Sequence, residues 1–289
     1  MTSILAIEAL TIDYLGQPPK RPAKRLVDGI SLTLEQGRSL ALVGESGAGK
    51  SLTSLAVMDL LPLGIVRASG RIVIGGRTLD GLSIEAKRQL RGGMVTMIMQ
   101  NPMSAFDPVF TIRSHFAETL AAHDDGKSGR GSVAERARIA LAEAGFPEPE
   151  AVLEAYPFQM SGGMLQRVMI ALALVTGPEL LIADEATTDL DAVSQKRVID
   201  LLRREREKRN LSLLLITHDL SVAASLADDI AVMHQGKIVE SGPAHTIFTA
   251  PQKAYTQKLI NAHNRLYRSA FTAFGYDNAG DAHAACVHM

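Results

Sequence analysis

The sequence predicts an α/β fold with a helical subdomain inserted into its core and an antiparallel β subdomain at its N-terminus. Three observations lead to this prediction. Residues 39–43 form an apolar run that meets a glycine-rich loop and then a helix-like stretch at 50–61, which a proline ends. The pattern changes over residues 101–176, where alanine and glutamate recur at helical spacing in residues 134–144. From Glu179 onwards, strand-like and helix-like segments alternate again, as they do in α/β folds.

We expect the core to comprise residues 1–100 and 177–243, the helical subdomain residues 101–176, and a C-terminal extension residues 244–289. Alternating apolar residues at 4–12 predict edge strands and then a loop. The other predicted elements are, in chain order, helices at 134–144 and 168–175, a strand at 180–183, a helix at 193–209, a strand at 211–217, and a hairpin of 230–234 with 237–240 that turns at Gln235 and Gly236.

The composition is that of an ordinary globular protein. Of the 289 residues, 46% are hydrophobic and the formal net charge is -1, so we expect a substantial core and no nucleic-acid partner, which would usually require a basic domain. A single cysteine, Cys286, excludes an internal disulfide and a zinc or iron–sulfur site built on several thiols. Residues 1–10 do not have the pattern of a signal peptide, and no apolar run approaches the roughly 18 residues of a membrane-spanning helix.

The glycine-rich loop fits the pattern G-x-x-x-x-G-K-[ST], which is typical of nucleotide-binding proteins. It consists of Gly44, Glu45, Ser46, Gly47, Ala48, Gly49, Lys50 and Ser51. The glycines allow backbone N–H groups to face phosphates, and the positive end of the next helix points at the same anion. Lys50 would reach the β and γ phosphates, and the Ser51 hydroxyl would bind Mg²⁺. A glycine-rich turn with an incidental lysine is the alternative, but the flanking strand and helix argue against it.

The apolar run at 180–183 ends in two acids, Asp184 and Glu185. The carboxyl ends of strands form the edge where ligands bind in open α/β folds. We expect Asp184 to hold the Mg²⁺ shell and Glu185 to polarise the attacking water. Alone, the pattern fits a helix N-terminus or a solvated strand end equally well. Its place after the glycine-rich loop and the helical segment favours the catalytic interpretation.

Ser161, Gly162 and Gly163 precede a long apolar helix. The serine can cap that helix, and the glycines expose backbone donors at its positive end, which together make an anion site. Taken alone, the segment is better explained as an ordinary capped helix, and only the order of segments along the whole chain favours the anion site.

The order of these segments, with Gln100 and His218 between and after them, resembles the ABC ATPase family over roughly residues 1–260. The resemblance implies a P-loop, RecA-like ABC ATPase core that uses ATP and Mg²⁺. In that family a signature, here Ser161, Gly162, Gly163, Met164 and Gln166, faces the γ-phosphate bound by a second subunit.

The resemblance also implies roles for single residues. Gln100 matches the glutamine that links Mg²⁺ to the membrane subunit, so that Ser51, Gln100 and Asp184 would hold the metal. His218 matches a histidine that contacts the γ-phosphate and would act with Lys50 and Glu185 in catalysis. Tyr14 matches an aromatic stacked on adenine, an ordinary strand tyrosine being the alternative.

Two further positions are compared with the family. Leu190 and Asp191 match the segment called the D-loop. Ala186 departs from the pattern, because the family usually has proline after the catalytic glutamate. Proline would stiffen the turn, so alanine is expected to loosen the D-loop without removing a catalytic group.

Several phrases resemble the peptide and nickel importer branch of the family. They lie at 98–108, 156–167, 187–191 and 250–256, and those at 156–167 and 187–191 are most similar to the ATP-binding subunits of nickel importers. The resemblance therefore implies an ATP hydrolase that energises an importer of nickel. The alternatives are a dipeptide or oligopeptide importer, whose ATPases commonly have a cysteine-bearing tail, and a soluble ABC ATPase without a transport role.

The resemblance also implies partners and a location. Two ATP-binding subunits, the second related but different, would pair head to tail on two transmembrane permease subunits, which a solute-binding protein serves. The chain would lie at the cytoplasmic face of the cell inner membrane. The tail residues His283, Cys286, His288 and Met289 have metal-binding side chains, but scattered histidines in a chain terminus are the interpretation we prefer.

Overall fold

The computed structural model describes residues 2–16, 23–123 and 132–273, so that the tail residues 283–289 lie outside the described part. The chain forms two compact units. The first unit is Met1–Asp80 with Leu214–Met289, and the second unit is Gly81–Leu213. The predicted boundaries of core, helical subdomain and extension stay a prediction.

The strands and helices are as follows. The strands are β1 (Ser3–Tyr14), β2 (Lys24–Glu35), β3 (Ser39–Val43), β4 (Ile65–Ile74), β5 (Arg77–Thr78), β6 (Val95–Ile98), β7 (Leu180–Asp184), β8 (Ser212–Thr217), β9 (Asp229–His234) and β10 (Lys237–Pro243). The helices are α1 (Lys50–Val57), α2 (Ile84–Gly93), α3 (Ile112–His123), α4 (Val133–Glu143), α5 (Pro149–Glu154), α6 (Gly162–Leu174), α7 (Ala192–Arg209), α8 (Leu220–Leu226), α9 (Ala244–Thr249) and α10 (Ala254–Ala273).

An antiparallel sheet in the first unit has the strand order β2-β1-β4-β5. Ile7 of β1 pairs with Leu32 of β2 on one side and with Ile72 of β4 on the other, and all three are buried. The predicted antiparallel β subdomain is therefore confirmed. The prediction of edge strands at 4–12 is wrong, because β1 lies between β2 and β4. The mixed polar and apolar sequence of β4, which Gly70 interrupts, does not have the alternation that predicts a strand.

The same unit contains the strand that leads into the glycine-rich loop. All five residues of β3 are buried, and β3 lies parallel to β9 with Val43 opposite Val232. β9 and β10 form the predicted hairpin, in which Gln235 and Gly236 have φ values of 47° and 81°. Positive φ at both central residues is what a two-residue hairpin turn requires.

The second unit contains the helical segment. The described residues of 101–176 contain the helices α3, α4, α5 and α6 and no strand, which confirms the prediction of a helical insertion.

The helix predicted at 50–61, which lies in the first unit, is shorter in the structure and ends at Val57. The chain turns at Asp59, whose φ is 55°, and Leu60 N donates to Leu55 O. No helix among the described residues is long and apolar enough to cross a membrane.

Candidate functional site

The phosphate-binding loop, residues 44–51, connects β3 to α1 in the first unit. Gly44, Gly47 and Gly49 have φ values of 154°, 79° and 107°, which glycine adopts far more readily than other residues. A Cβ on Gly44 would lie 2.1 Å from Met233 O, and one on Gly49 would lie 2.8 Å from Met233 Cε. A Cβ on Gly47 would meet nothing within 4 Å. Gly44 is therefore required by conformation and by a close backbone contact. Gly47 and Gly49 are required mainly by conformation, since the atom nearest to Gly49 is the end of a flexible side chain.

Lys50 is only 4% exposed, and its amine is held by the loop itself. The Nζ atom donates to Gly44 O at 2.8 Å and to Glu45 O at 2.9 Å. Helix α1 begins at Lys50, and no side chain among the described residues caps it at Gly49. The first N–H groups of a helix have no partner within the helix and attract anions. With Ser51 exposed on the first turn, the loop has the geometry of a phosphate site.

Tyr14 and His218 also lie in the first unit. Tyr14 is the last residue of β1, is half-buried, and lies in register with Lys24 and Ile65 of the flanking strands. His218 follows β8 directly and is exposed. The next residue, Asp219, caps α8 by accepting from Ser221 N at 2.8 Å. The roles of Tyr14 at adenine and of His218 at the γ-phosphate stay predictions.

The acidic loop, residues 184–188, follows β7 in the second unit. β7 ends at Asp184, which is 6% exposed, and Glu185 has the left-handed φ of 49°. β6 and β7 are parallel, with Ile98 opposite Ala183. Because the strands run in the same direction, the residues that follow them emerge at the same edge of the sheet.

The carboxylate of Glu185 is held by side chains from both segments. Its Oε2 atom accepts from Gln100 Nε2 at 3.1 Å and from Thr188 Oγ1 at 3.1 Å. The Thr188 backbone N–H also donates to Glu185 O at 3.0 Å. The structure therefore brings together two residues that the sequence analysis singled out, Gln100 and Glu185, and adds Thr188.

The donor set predicted for Mg²⁺ fits that ion chemically. Ser51, Gln100 and Asp184 offer a hydroxyl, an amide and one carboxylate, all through oxygen, as this hard cation prefers. Mg²⁺ usually takes one or two carboxylates and completes its shell with water and substrate phosphates. A donor set with a single carboxylate, which leaves the other positions to water and phosphate oxygens, matches that preference.

The signature segment forms the exposed start of α6. Ser161 Oγ accepts from Met164 N at 3.3 Å and so caps the helix as predicted. Ser161 and Gly162 are exposed, whereas Gln166 is 1% exposed, and among the described residues its Nε2 atom has no hydrogen-bond partner. A Cβ on Gly163 would lie 2.6 Å from Ser194 Oγ. The second glycine of the signature is therefore required by the close approach of α7.

Asp191 caps the N-terminus of α7, the helix that lies against Gly163. Its carboxylate accepts from the N–H groups of Val193 and Ser194, both at 3.0 Å, and from Ser194 Oγ at 2.6 Å. The Ser194 hydroxyl and these backbone groups hold the pKa of Asp191 below its ordinary value. Ala186, which replaces the usual proline, is buried at 2% exposure.

Sequence reasoning missed Thr188 and Ser194. Asp191 followed three residues later by Ser194 is a recognisable helix-capping pattern, so Ser194 could have been found. Thr188 had no such signal, because its contact with Glu185 depends on the tight turn that the positive φ of Glu185 creates.

Comparison with known proteins identifies the family. A profile described as "ABC transporter" matches residues 27–188. Nickel import ATP-binding protein NikD of Rhodospirillum rubrum is 50% identical over 263 residues, covering 91% of this chain and 96% of that protein. NikD of Pseudomonas putida is 43% identical over 269 residues, covering 92% of this chain and 98% of that protein.

Solved structures share the fold. The dimeric structure of MJ0796, a bacterial ABC transporter cassette, has a TM-score of 0.73 at 22% identity and covers 83% of this chain and 98% of that one. The structure of cbiO1 from Clostridium perfringens, part of the transporter complex cbiONQ, has a TM-score of 0.71 at 22% identity, with 94% and 99% covered. The predicted ABC ATPase fold is confirmed, and the chain belongs to the ABC transporter family as one of its ATP-binding proteins.

Proposed function

We propose that this chain is the ATP-hydrolysing subunit that energises an ABC importer for nickel. The observation that carries the proposal is its 50% identity to a nickel import ATP-binding protein over 91% of its own length and 96% of that protein's. Similarity that extends through both units supports a shared role in transport, beyond a shared nucleotide-binding loop.

The nucleotide would bind through the phosphate-binding loop. Backbone N–H groups of residues 44–51 and the start of α1 would surround the phosphates, and the Lys50 amine would donate to the β and γ phosphates. Tyr14 would stack on adenine. Ser51, Gln100 and Asp184 would hold Mg²⁺, which neutralises phosphate charge when it is bound.

Hydrolysis would depend on Glu185 and His218. Glu185 would orient and polarise the attacking water, a contribution typically worth about 10²–10⁴ in rate. His218 would donate to the γ-phosphate. The hydrogen bonds from Gln100 and Thr188 show that the Glu185 side chain is positioned by its neighbours, which supports a role that demands fixed geometry.

The signature would act on the nucleotide of a partner ATPase. The start of α6 is exposed at Ser161 and Gly162, and its first turn contains no acidic residue. An uncompensated positive helix end attracts phosphate. Two ATP-binding subunits, this one and a related chain, would pair head to tail and close around ATP, and loss of the γ-phosphate would let them open.

An ABC importer of this kind has membrane permease partners. The second unit exposes large apolar side chains in two segments, and we assign them to contact with the permease: Met99, Met103, Val109, Phe110, Tyr156 and Phe158. Exposed apolar groups of this size mark interaction sites when they cluster along one segment. With two permease subunits in place, the chain would be a peripheral protein at the cytoplasmic face of the inner membrane, served indirectly by a solute-binding protein.

The test is energy-dependent uptake of labelled nickel, measured beside a labelled dipeptide, in cells that lack the gene. Complementation with the wild type should restore nickel uptake, whereas Lys50→Ala should not, and the exposed-site variant Lys258→Ala should behave as the wild type. Restoration of dipeptide uptake alone would replace nickel with peptide as the cargo. Normal nickel uptake with Lys50→Ala would contradict the role of the phosphate-binding loop.

A further inference from the structure

The start of α10 is anchored in the first unit by a strand residue. The carboxylate of Glu240, in β10, accepts from the backbone N–H groups of Gln252 and Lys253 at 2.7 Å and 3.1 Å. Both N–H groups immediately precede α10, where a carboxylate is favourable. The position of the next residues, including Tyr255, is therefore fixed relative to the β9–β10 hairpin.

The Tyr255 ring lies on the last residue of β9. It stacks on the His234 imidazole with 3.9 Å between ring centroids and 28° between planes. The residue before, Met233, has its carbonyl oxygen 2.1 Å from where a Cβ on Gly44 would lie. Beyond the hairpin turn, Gly236 N donates to Ala48 O at 3.0 Å. Tyr255 is thus attached to the hairpin that supports the phosphate-binding loop.

The Tyr255 hydroxyl interacts electrostatically with Glu45 of the phosphate-binding loop. Its oxygen is buried and makes no hydrogen bond of standard length and angle within the described residues. Its polar neighbours are the backbone and the carboxylate of Glu45. Burial, helped by the Glu45 carboxylate, raises the pKa of Tyr255 above its ordinary value, so the phenol keeps its proton and can donate to that carboxylate.

Glu45 connects this tyrosine to the lysine of the loop. The Glu45 carbonyl accepts from Lys50 Nζ at 2.9 Å, and the Ala48 N–H donates to the same carbonyl at 3.2 Å. A change in the backbone at Glu45 would therefore move both the lysine and the middle of the loop. Tyr255 lies in the predicted C-terminal extension, within the importer-like phrase at 250–256, but the sequence analysis assigned no role to it.

We infer that Tyr255 is a positioning residue for nucleotide binding: held on His234, it contacts Glu45 and keeps the phosphate-binding loop in its binding conformation. This inference rests on the proposed ATP site. A loop that is already ordered loses less conformational freedom when the ligand binds, so it binds more tightly. The C-terminal extension, through α10, thereby contributes to nucleotide affinity without touching the nucleotide.

The test is isothermal titration of the purified full-length chain with ADP and Mg²⁺, because ADP occupies the loop and is not hydrolysed. Tyr255→Phe keeps the ring on His234 and removes only the hydroxyl. We expect the dissociation constant to rise about two- to fivefold, the lower part of the range of one net hydrogen bond, because the hydroxyl lies near Glu45 without a bond of standard geometry. In the nucleotide-free chain, the melting temperature should change by less than about 2 °C, because the stacking and burial remain.

Two further variants separate positioning from a purely structural role. Glu45→Gln removes the carboxylate, and the double variant with Tyr255→Phe should bind ADP no more weakly than the weaker single variant, since both act through one contact. Lys258→Ala, one turn away on the exposed side of α10, should bind as the wild type does.

The outcomes distinguish the two proposals. Wild-type affinity in Tyr255→Phe, with no binding in Lys50→Ala, would overturn the positioning role and leave the ATP site intact. Fully additive effects of Tyr255→Phe and Glu45→Gln would also overturn it. Failure of the wild type to bind ADP would overturn the proposed function, and the role of Tyr255 with it.

Discussion

The phosphate-binding loop and the acidic loop are held in place by different means. In the phosphate-binding loop, positive φ values fall on glycines, and the Lys50 amine bonds to two carbonyls of the loop itself. In the acidic loop, the positive φ falls on Glu185, and the carboxylate is held by Thr188 and by Gln100 from a distant segment. Local backbone geometry orders one loop, and side chains converging from two strands order the other.

The largest expected effect comes from the acidic loop. Glu185→Gln keeps the side-chain size and should lower the rate of ATP hydrolysis by about 10²–10⁴, the usual contribution of a general base. Nucleotide binding should persist, because the phosphate-binding loop is ordered by its own contacts. The measurement is phosphate release by the assembled transporter together with ADP titration. The control Glu207→Gln alters an exposed glutamate on α7, and a similar rate for both variants would contradict the role of Glu185.

The second prediction separates two glycines of the phosphate-binding loop. Gly44→Ala should lower the free energy of unfolding by about 3–4 kcal/mol, in the range of steric and backbone-strain variants, because the new methyl group overlaps Met233 O. Gly47→Ala has the positive φ but open space, so its loss should be about 1–2 kcal/mol. Chemical denaturation measures both. Equal losses would show that conformation alone, and not close packing, requires glycine at residue 44.

The third prediction concerns Thr188, the residue of the acidic loop that sequence reasoning missed. Thr188→Val keeps the shape but removes a side-chain donor to Glu185, so hydrolysis should slow about three- to tenfold, the scale of one net hydrogen bond. ADP affinity should not change. Thr187→Val, at the neighbouring buried position, serves as the comparison. A loss of ADP affinity in Thr188→Val would show that the two loops are not ordered independently.

The smallest expected effect is on the pH dependence of stability, and it arises near the loop that follows β8. His263 of α10 is half-buried, and burial lowers its pKa below the ordinary value of 6.5, although the Asp219 carboxylate acts in the opposite direction. Between the lowered pKa and pH 6.5, the unfolded chain binds more protons than the folded one, so stability falls as pH drops through this window.

The loss at pH 5.5 relative to pH 7.5 should be roughly 0.5 kcal/mol or less, since solvent screens a half-exposed group. His263→Asn should remove this component, whereas His245→Asn, at an exposed site on α9, should not. Denaturation at the two pH values measures the difference. An identical pH dependence in wild type and His263→Asn would contradict the lowered pKa.

The contrast between local geometry and long-range contacts also explains which features the sequence could predict. The glycine pattern of residues 44–51 predicts a loop whose conformation is local, and the observed φ values agree with it. The strand ending in Asp184 was predicted to within one residue, since an unbroken apolar run leaves few alternatives. The hairpin turn at Gln235 and Gly236 was likewise visible in adjacent residues.

Features that depend on residues distant in sequence could not be predicted in this way. The interior position of β1 depends on β4, whose alternation is broken by Gly70. The end of α1 at Val57 was missed for a different reason: the turn at Asp59 is local, but residues 58–61 are equally compatible with a longer helix. The contact of Glu185 with Gln100 joins segments 85 residues apart, and no local pattern records it.

The Lys50 amine is already hydrogen-bonded to Gly44 O and Glu45 O of its own loop. An ammonium group has three N–H donors, so a phosphate either shares the amine with these carbonyls or displaces one of them. A displaced bond is worth about 0.5–1.5 kcal/mol net. To the extent that a carbonyl is displaced, the affinity lost in Lys50→Ala is the difference between two sets of partners, and it understates the strength of the phosphate contact itself.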